Sequence, residues 1–318
     1  MTATADVSRR EAWVMAARPQ TLPAGASPVV IGVGLAVADG VFAPLPAAAA
    51  LVGALLIQIG TNFANDYYDA LKGADDHDRE GFTRVTAGGL IAPEAVKRAM
   101  ALTYGLALVV GLYLVAIGGV PILVVGLSSI VAGLLYTGGP YPYGYYGLGD
   151  LFVFVYFGLV AVTGSYYVQS VAATDVGLLP VGIPSGTVTG AALLAGAAAG
   201  ALATNILVVN NIRDRESDRA AGKRTLAVLI GYRWSRVEFL ALLALAYAAP
   251  LACWLGLGYS PAVTLAYLSV PLAASVGRTV LSETGGDALN PALERTGQLL
   301  ALYAVGLVAG LAGPAVIA

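Results

Sequence analysis

Nine long apolar runs, separated by polar segments, dominate this sequence of 318 residues. Hydrophobic residues make up 58% of the chain and charged residues only 11%, which is unusual for a soluble domain. Each run is long enough to cross a hydrocarbon core of about 30 Å as a helix. Transmembrane β-strands are alternating segments of about ten residues, and these runs are longer and continuous. The sequence therefore predicts an all-α integral membrane protein built as a bundle of nine transmembrane helices.

The predicted spans cover residues 22–38, 45–65, 99–118, 121–137, 151–171, 187–209, 237–257, 261–280 and 297–317. We expect a single integral domain over residues 1–318, with residues 1–18 as a polar leader, because no linker rich in Ser, Gly or charge separates two units. Small residues inside the runs should let helices approach closely in lipid. These residues are Gly133, Gly158, Gly190, Gly196 and Gly200.

The basic residues indicate an orientation. All 17 Lys and Arg residues lie in segments that a nine-span topology places on one side of the membrane. By the positive-inside rule that side is the cytoplasm. The opposite loops carry only Asp39 and Asp175 as charged groups. We expect a multi-pass cell-membrane protein whose N-terminus and active site face the cytoplasm, with polar cytoplasmic loops forming a cap over the site.

Two polar clusters end apolar runs at this same predicted face. The first is TNFANDYYD, residues 61–69, and the second begins with NNIRD, residues 210–214. Aligning Asp69 with Asp214 also aligns Asn65 with Asn210, at an offset of 145 residues that corresponds to four spans. An offset of an even number of spans gives parallel copies. The two clusters can therefore converge on one ligand.

Helical spacing places the polar residues of each cluster on one face of their span. In the first cluster these residues are Asn62, Asn65 or Asp66, and Asp69. In the second cluster they are Asn211, Asp214 and Asp218. Oxygen ligands of this kind suit Mg²⁺, which commonly binds one or two carboxylates together with substrate phosphates. The sequence therefore predicts a magnesium site shared by the two clusters.

Four carboxylates, those of Asp66, Asp69, Asp214 and Asp218, are expected to converge at this site. A carboxylate at membrane depth costs on the order of 2.5 to 3.5 kcal/mol, and neighbouring like charges repel one another. Bound Mg²⁺ would offset both effects. The alternative is that these acids are solvated helix ends paired with nearby arginines. That alternative explains neither the repetition nor the amides.

Basic and aromatic residues near the clusters indicate the substrate. Arg84, Lys223 and Arg224 would bind a diphosphate together with the metal, and the apolar bundle would hold a hydrocarbon tail. The loop Tyr136–Asp150, YTGGPYPYGYYGLGD, contains five tyrosines. Tyr136 and its neighbours would stabilise an allylic carbocation through their π faces, with Mg²⁺ as Lewis acid on the leaving diphosphate. An aromatic belt at the membrane boundary is the simpler explanation for these tyrosines.

These motifs resemble the UbiA-type intramembrane prenyltransferases. The resemblance is carried by Arg18 to Leu22, by Asn65 to Asp69 and by Asp214 to Asp218. Three longer stretches are similar to the branch of the family that prenylates 1,4-dihydroxy-2-naphthoate in menaquinone biosynthesis. They are TNFANDYYDALKGADD with the following TRVTAGGLI, the tyrosine loop, and NNIRDRESDRAAGKRTLAVLIG. Phe82 departs from the proline expected before Thr83, and Gly73 stands where some members have a third acid.

The resemblance implies Mg²⁺-dependent transfer of a polyprenyl group from polyprenyl diphosphate to a carbon of the aromatic acceptor. In the naphthoate branch the new bond replaces the carboxylate, so carbon dioxide is lost and demethylmenaquinone results. The residues implied to bind metal are Asn65, Asp66, Asp69, Asp214 and Asp218; the same four aspartates and Tyr136 are the candidate catalytic residues. The implied substrate-binding residues are Arg18, Asn62, Asn65, Arg84, Asn211, Lys223 and Arg224, with Arg18 or Arg84 facing the acceptor carboxylate.

Two alternatives remain open from the sequence. Another acceptor, such as 4-hydroxybenzoate, a tetrapyrrole or a glycerol phosphate ether, would use the same diphosphate site. A cation-coupled transporter would also have repeats and intramembrane acids, but it would usually place them near the bilayer midplane. The net charge of −2 argues against a nucleic-acid partner. The expected partners are polyprenyl diphosphate, the aromatic acceptor and the lipid bilayer.

Overall fold

The computed structural model describes residues 7–72, 85–174 and 176–317, without the side chains of residues 314–317. Its helices are α1 (Arg9–Ala17), α2 (Leu22–Ala38), α3 (Pro44–Leu71), α4 (Pro93–Leu135), α5 (Gly149–Ala172), α6 (Gly190–Arg213), α7 (Arg215–Ala220), α8 (Leu226–Leu257), α9 (Pro261–Ser282) and α10 (Gly286–Ile317). All regular structure in these ranges is helical, which confirms the predicted all-α fold.

The described residues contain eight helical stretches that are long and apolar enough to cross a membrane. The longest, α4, has 43 residues. As a straight helix it would extend about 65 Å, twice the hydrocarbon thickness. It is interrupted at Gly119, whose φ of 65° and ψ of −149° are not helical. The predicted spans 99–118 and 121–137 lie on either side of this break, so the predicted count of nine is reached when the two halves of α4 are counted separately.

Gly119 is required at the break because another backbone segment contacts it. A Cβ atom at this position would lie 1.8 Å from the carbonyl oxygen of Pro180. The Val120 amide donates to the same oxygen at 2.9 Å, and the Leu179 amide donates to the Ala116 carbonyl at 3.0 Å. The segment that connects α5 and α6 is therefore fastened to the turn of α4.

Most helices continue beyond the predicted spans at one end of the bundle. This end carries Arg18, Lys72 and Lys223 and is called the basic end below. The predicted span 45–65 extends to Leu71 in α3, and the predicted span 237–257 begins at Leu226 in α8. Hydropathy marks the part of a helix that lies in hydrocarbon, whereas backbone hydrogen bonding continues into the polar interface. The functional clusters lie on these extensions.

Glycines bring α5 and α6 into backbone contact. A Cβ atom on Gly158 would lie 2.4 Å from the Gly196 oxygen and 2.4 Å from Gly200 Cα, and one on Gly200 would lie 2.5 Å from the Phe154 oxygen. Gly158 belongs to a π-helical turn of α5, Phe154–Val160. Gly190 has no atom within 4 Å of its Cβ position, so the predicted contact role is wrong for that residue.

We expect Gly200→Val to destabilise the protein by on the order of 3 kcal/mol, because the new side chain would overlap backbone that cannot move independently. The measurement is the unfolding midpoint in mixed detergent micelles. Gly190→Ala on the same helix is the matched control and should leave the midpoint nearly unchanged. Equal midpoints for the two variants would contradict the proposed packing role of Gly200.

Candidate active site

A cavity of about 770 Å³ lies inside the bundle and is polar at the basic end and apolar elsewhere. Its volume falls within the range of small-molecule sites, roughly 300 to 1,000 Å³. The charged residues that line it are Arg18, Asp69, Arg213, Asp218, Lys223 and Glu294. Both polar clusters of the sequence contribute to this lining. The prediction that the clusters face one shared space therefore agrees with the structure.

The first cluster lies on a continuous stretch of α3. Its residues that line the cavity are Asn62, Asn65 and Asp69. The Asn65 side-chain oxygen accepts a hydrogen bond from the Thr137 hydroxyl at 3.0 Å, and Asp69 accepts one from the Tyr145 hydroxyl at 2.5 Å. Both donors belong to the tyrosine loop, residues 136–150. The loop thus fixes the side chains at the end of α3.

Asp66 is not among the residues that line the cavity, and its role as a metal ligand stays a prediction. It is 1% exposed, and its carboxylate accepts hydrogen bonds from the Thr86 amide at 3.1 Å and from the Thr86 hydroxyl. The Arg18 guanidinium lies 4.0 Å from the other carboxylate oxygen. Because successive helical residues are about 100° apart, Asp66 cannot share a face with Asn65. Asp66 holds Arg18 and the segment containing Thr86 in place.

The second cluster does not follow one helical face. α6 ends at Arg213 and α7 begins at Arg215, so the regular spacing is interrupted at Asp214. Asn211 and Asp218 line the cavity, and Asp214 does not. Arg213 binds the Asp214 carboxylate with two hydrogen bonds, from Nε at 2.7 Å and from Nη2 at 2.8 Å. The structure therefore shows Asp214 as a buried partner of Arg213 outside the cavity lining, and its role as a metal ligand stays a prediction.

In the part of the chain that the structure describes, no three His, Cys, Asp or Glu side chains are grouped to hold one ion. The predicted convergence of four carboxylates is therefore wrong for these residues. Asp69 and Asp218 are connected through two other side chains. Lys223 Nζ lies 3.8 Å from Asp218 and 4.7 Å from the centre of the Tyr145 ring, whose hydroxyl binds Asp69. The site therefore combines two carboxylates with a cation between them.

Lys72 is a second cation at this site that sequence reasoning does not identify. Its Nζ donates to the Thr137 carbonyl at 2.6 Å and lies 5.2 Å from the centre of the Tyr145 ring. Burial lowers the pKa of Lys72, nearby Lys223 lowers it further, and Asp69 opposes the change. In the sequence, the role of Lys72 is indicated by its position three residues after Asp69. Tyr145 had no such signal among the five tyrosines of its loop.

The other predicted basic residues differ in placement. Arg18 lines the cavity, whereas the Arg224 side chain is exposed and does not. The Arg224 amide donates to the Tyr145 carbonyl at 2.9 Å, so its observed contact is made by the backbone. The predicted role of Arg224 in binding diphosphate is therefore not supported by its side-chain position. Arg84 lies outside the described residues.

Aromatic rings form one wall of the cavity. Tyr136 and Tyr143 meet edge to face at 5.4 Å, Tyr143 stacks on Phe152 at 4.1 Å, and Phe152 stacks on Tyr156 at 6.1 Å. Burial, followed by the proximity of Asp150, raises the pKa of Tyr136 well above its usual range. The phenol therefore stays neutral. Sequence reasoning identifies Tyr136 but not the two members contributed by α5.

The apolar part of the cavity is lined by both halves of α4 and by α5. Leu112 and Val115 come from one half of α4, and Ile122 and Leu123 come from the other. Gly111 and Gly126 also line this part, and nothing lies within 4 Å of their Cβ positions. Because these glycines have no side chain, they leave room for a hydrocarbon chain. The cavity is thus suited to a molecule with a charged head and an apolar tail.

Comparison with known proteins agrees with this geometry. Residues 26–291 match the UbiA prenyltransferase family. The chain is 39% identical over 306 residues to 1,4-dihydroxy-2-naphthoate octaprenyltransferase from Escherichia coli strain K12, with 91% of each chain covered.

Solved structures share the fold. A UbiA homolog from Aeropyrum pernix K1 in its apo form matches with a TM-score of 0.70 and 14% identity, over 90% of this chain and 96% of that one. A UbiA homolog from Archaeoglobus fulgidus bound to DMAPP and Mg²⁺ matches with a TM-score of 0.53 and 13% identity, over 93% of this chain and 98% of that one. The chain is a membrane protein that belongs to the UbiA prenyltransferase family.

Proposed function

We propose that this protein transfers a polyprenyl group from polyprenyl diphosphate to 1,4-dihydroxy-2-naphthoate, with loss of diphosphate and carbon dioxide. The observation that carries the proposal is the single cavity that joins Asp69, Asp218 and Lys223 to an apolar channel. This arrangement matches a diphosphate head and a long hydrocarbon tail. The acceptor is proposed from the similarity to the Escherichia coli enzyme named above.

The polar end of the cavity fits a magnesium ion by the chemistry of its donors. The carboxylates of Asp69 and Asp218 and the side-chain carbonyl of Asn65 offer oxygen atoms, which Mg²⁺ prefers and usually supplements with phosphate oxygens and water. When bound there, Mg²⁺ supplies a Lewis acid that stabilises the leaving diphosphate. The Archaeoglobus fulgidus homolog bound to DMAPP and Mg²⁺ supports this assignment.

Different residues of the chain stabilise the leaving diphosphate and the hydrocarbon cation. Lys223 lines the cavity and provides positive charge for the diphosphate, whereas the charge of Arg213, which also lines the cavity, is compensated by Asp214. When the allylic carbon–oxygen bond breaks, its electron pair leaves with the diphosphate and the hydrocarbon becomes cationic. The rings of Tyr136 and Tyr143 face the cavity and stabilise that cation electrostatically without being deprotonated.

The acceptor reaction follows from its atom and electron balance. A ring carbon of 1,4-dihydroxy-2-naphthoate supplies the electron pair for the new carbon–carbon bond. The pair from the bond to the carboxylate returns to the ring as carbon dioxide leaves. The immediate product is therefore the quinol, and the quinone, demethylmenaquinone, forms in a separate step in which an external oxidant accepts two electrons and two protons leave. Arg18 lines the cavity and lies 4.0 Å from Asp66, which supports a role for Arg18 in binding the acceptor carboxylate before it is lost.

The proposal includes an orientation. The charge asymmetry of the sequence supports a cytoplasmic location for the basic end. Water-soluble acceptor would then reach the cavity from the cytoplasm, and the prenyl tail would enter from the bilayer.

An acceptor competition experiment tests the function. Purified protein with Mg²⁺, an allylic polyprenyl diphosphate and 1,4-dihydroxy-2-naphthoate should release diphosphate and carbon dioxide in equal amounts. The same protein with 4-hydroxybenzoate as the only acceptor should be far slower. Diphosphate release with 4-hydroxybenzoate alone would overturn the acceptor while sparing prenyl transfer. Absence of release with either acceptor, in protein shown to be folded, would overturn the reaction itself.

A further inference from the structure

The side-chain oxygen of Gln58 is a buried acceptor that has no hydrogen-bond partner among the described residues. Gln58 lies on α3, one turn before Asn62, and it lines the cavity. Only 8% of the residue is exposed. Buried polar groups in folded proteins are almost always satisfied, so an unsatisfied one at a cavity wall points to a ligand or to water.

A hydrogen-bond network fixes which atom of the Gln58 amide is unsatisfied. Gln58 Nε2 donates to Thr21 Oγ1 at 3.1 Å and to Asn62 Oδ1 at 3.4 Å. The Thr21 hydroxyl donates its own proton to the Arg18 carbonyl at 2.9 Å. Asn62 Nδ2 donates to the Ala17 carbonyl at 2.9 Å and to Thr21 Oγ1 at 2.9 Å.

Both atoms that face Gln58 Nε2 are therefore acceptors. Turning the amide over would place its oxygen against Thr21 Oγ1 and Asn62 Oδ1 and would lose two hydrogen bonds. The network therefore fixes the orientation of the Gln58 amide, with Nε2 donating to Thr21 and Asn62. The Gln58 oxygen can then accept a hydrogen bond from another donor. The same network includes the backbone of Arg18, the residue proposed to bind the acceptor carboxylate.

The chemistry of the substrates decides which of them can supply that donor. A polyprenyl diphosphate has no O–H or N–H group on its tail, and its ionised head accepts hydrogen bonds. An aromatic acceptor with phenolic hydroxyls is a donor. We propose that Gln58 binds a phenolic hydroxyl of the acceptor substrate and makes the enzyme selective for hydroxylated rings. This inference rests on the proposed function, because it assigns a specificity residue within that site.

Acceptor analogues test the inference by binding rather than turnover, since removing a hydroxyl also changes the reactivity of the ring. Dissociation constants are measured by isothermal titration calorimetry for 1,4-dihydroxy-2-naphthoate, 1-hydroxy-2-naphthoate, 4-hydroxy-2-naphthoate and 2-naphthoate. In the wild-type protein one hydroxyl should improve binding about tenfold or more, because its loss leaves Gln58 unpaired. Gln58→Met keeps the length of the side chain but removes the amide. In this variant the ratio between the constants of the analogues without and with that hydroxyl should fall to about one. The dissociation constant for polyprenyl diphosphate should stay within about twofold, which also shows that the variant is folded.

Thr21→Val is the matched control, because it removes a partner of Gln58 Nε2 and keeps the Gln58 oxygen. It should weaken all analogues and retain the preference for the hydroxyl. The inference is overturned if the wild-type protein shows no hydroxyl preference, if Gln58→Met keeps it, or if Thr21→Val loses it equally. These ratios are measured whether or not 1,4-dihydroxy-2-naphthoate is turned over. Failure of the proposed acceptor therefore remains distinguishable from failure of the Gln58 assignment.

Discussion

Replacement of Asp69 or Asp218 by alanine is expected to lower the rate of prenyl transfer at least about a hundredfold. Of the four aspartates predicted to bind metal, these two line the cavity, and Tyr145 and Lys223 connect them. Loss of either would remove an oxygen ligand for the metal and one contact of Lys223 or of Tyr145. The measurement is the initial rate of diphosphate release at saturating substrates and at increasing Mg²⁺.

Two controls separate chemistry from folding. Asp287→Ala changes an exposed acid at the start of α10 and should leave the rate nearly unchanged. Asp214→Ala removes the buried partner of Arg213, which is expected to destabilise the fold by about 3 to 5 kcal/mol. Its loss of activity should therefore follow the loss of folded protein. A near-normal rate for Asp69→Ala in folded protein would eliminate the proposed metal site.

Gly126→Trp is expected to reduce kcat/KM for octaprenyl diphosphate at least about a hundredfold and to change that for geranyl diphosphate by less than about threefold. Gly126 lines the apolar part of the cavity and has open space around its Cβ position. An indole there would fill the channel that holds the distal part of a long chain. A short chain would still reach the polar end.

Gly105→Trp is the matched control for this experiment. Gly105 also lies on α4 with open space around its Cβ position, but it does not line the cavity. Both chain lengths should react normally in that variant. Equal losses for long and short substrates in Gly126→Trp would show that the tail channel lies elsewhere.

The fold is largely predictable because its main determinant is hydropathy. The predicted span 22–38 coincides with α2, and the break of α4 falls between two predicted spans. Helix ends at the basic end are less predictable, because polar residues continue a helix without any change in hydrogen bonding. The contact of Pro180 with Gly119 is a long-range feature that no local pattern records.

The candidate site is predictable only where one helix continues through it. Asn62, Asn65 and Asp69 share a face because α3 remains regular to Leu71. Asp214 breaks this rule because a helix ends beside it, and its side chain binds Arg213 instead. The sequence repeat aligns Asp69 with Asp214, but the Asp69 side chain binds Tyr145 and the Asp214 side chain binds Arg213. Contacts made by the tyrosine loop depend on its folded path, which composition does not specify.

The π-helical turn of α5 determines how one helix can line the cavity along its length. Positions of α5 that line it recur at every fourth residue, at Phe152, Tyr156, Val160, Gly164 and Val168. In a regular α-helix each such step rotates the side chain by about 40°, so four steps would rotate it by about 160°. The wider turn at Phe154–Val160 rotates the later residues back. Deleting one residue from this turn would rotate the two ends of α5 relative to each other. The aromatic residues would still face the cavity, whereas the residues beside the tail channel would face the neighbouring helices.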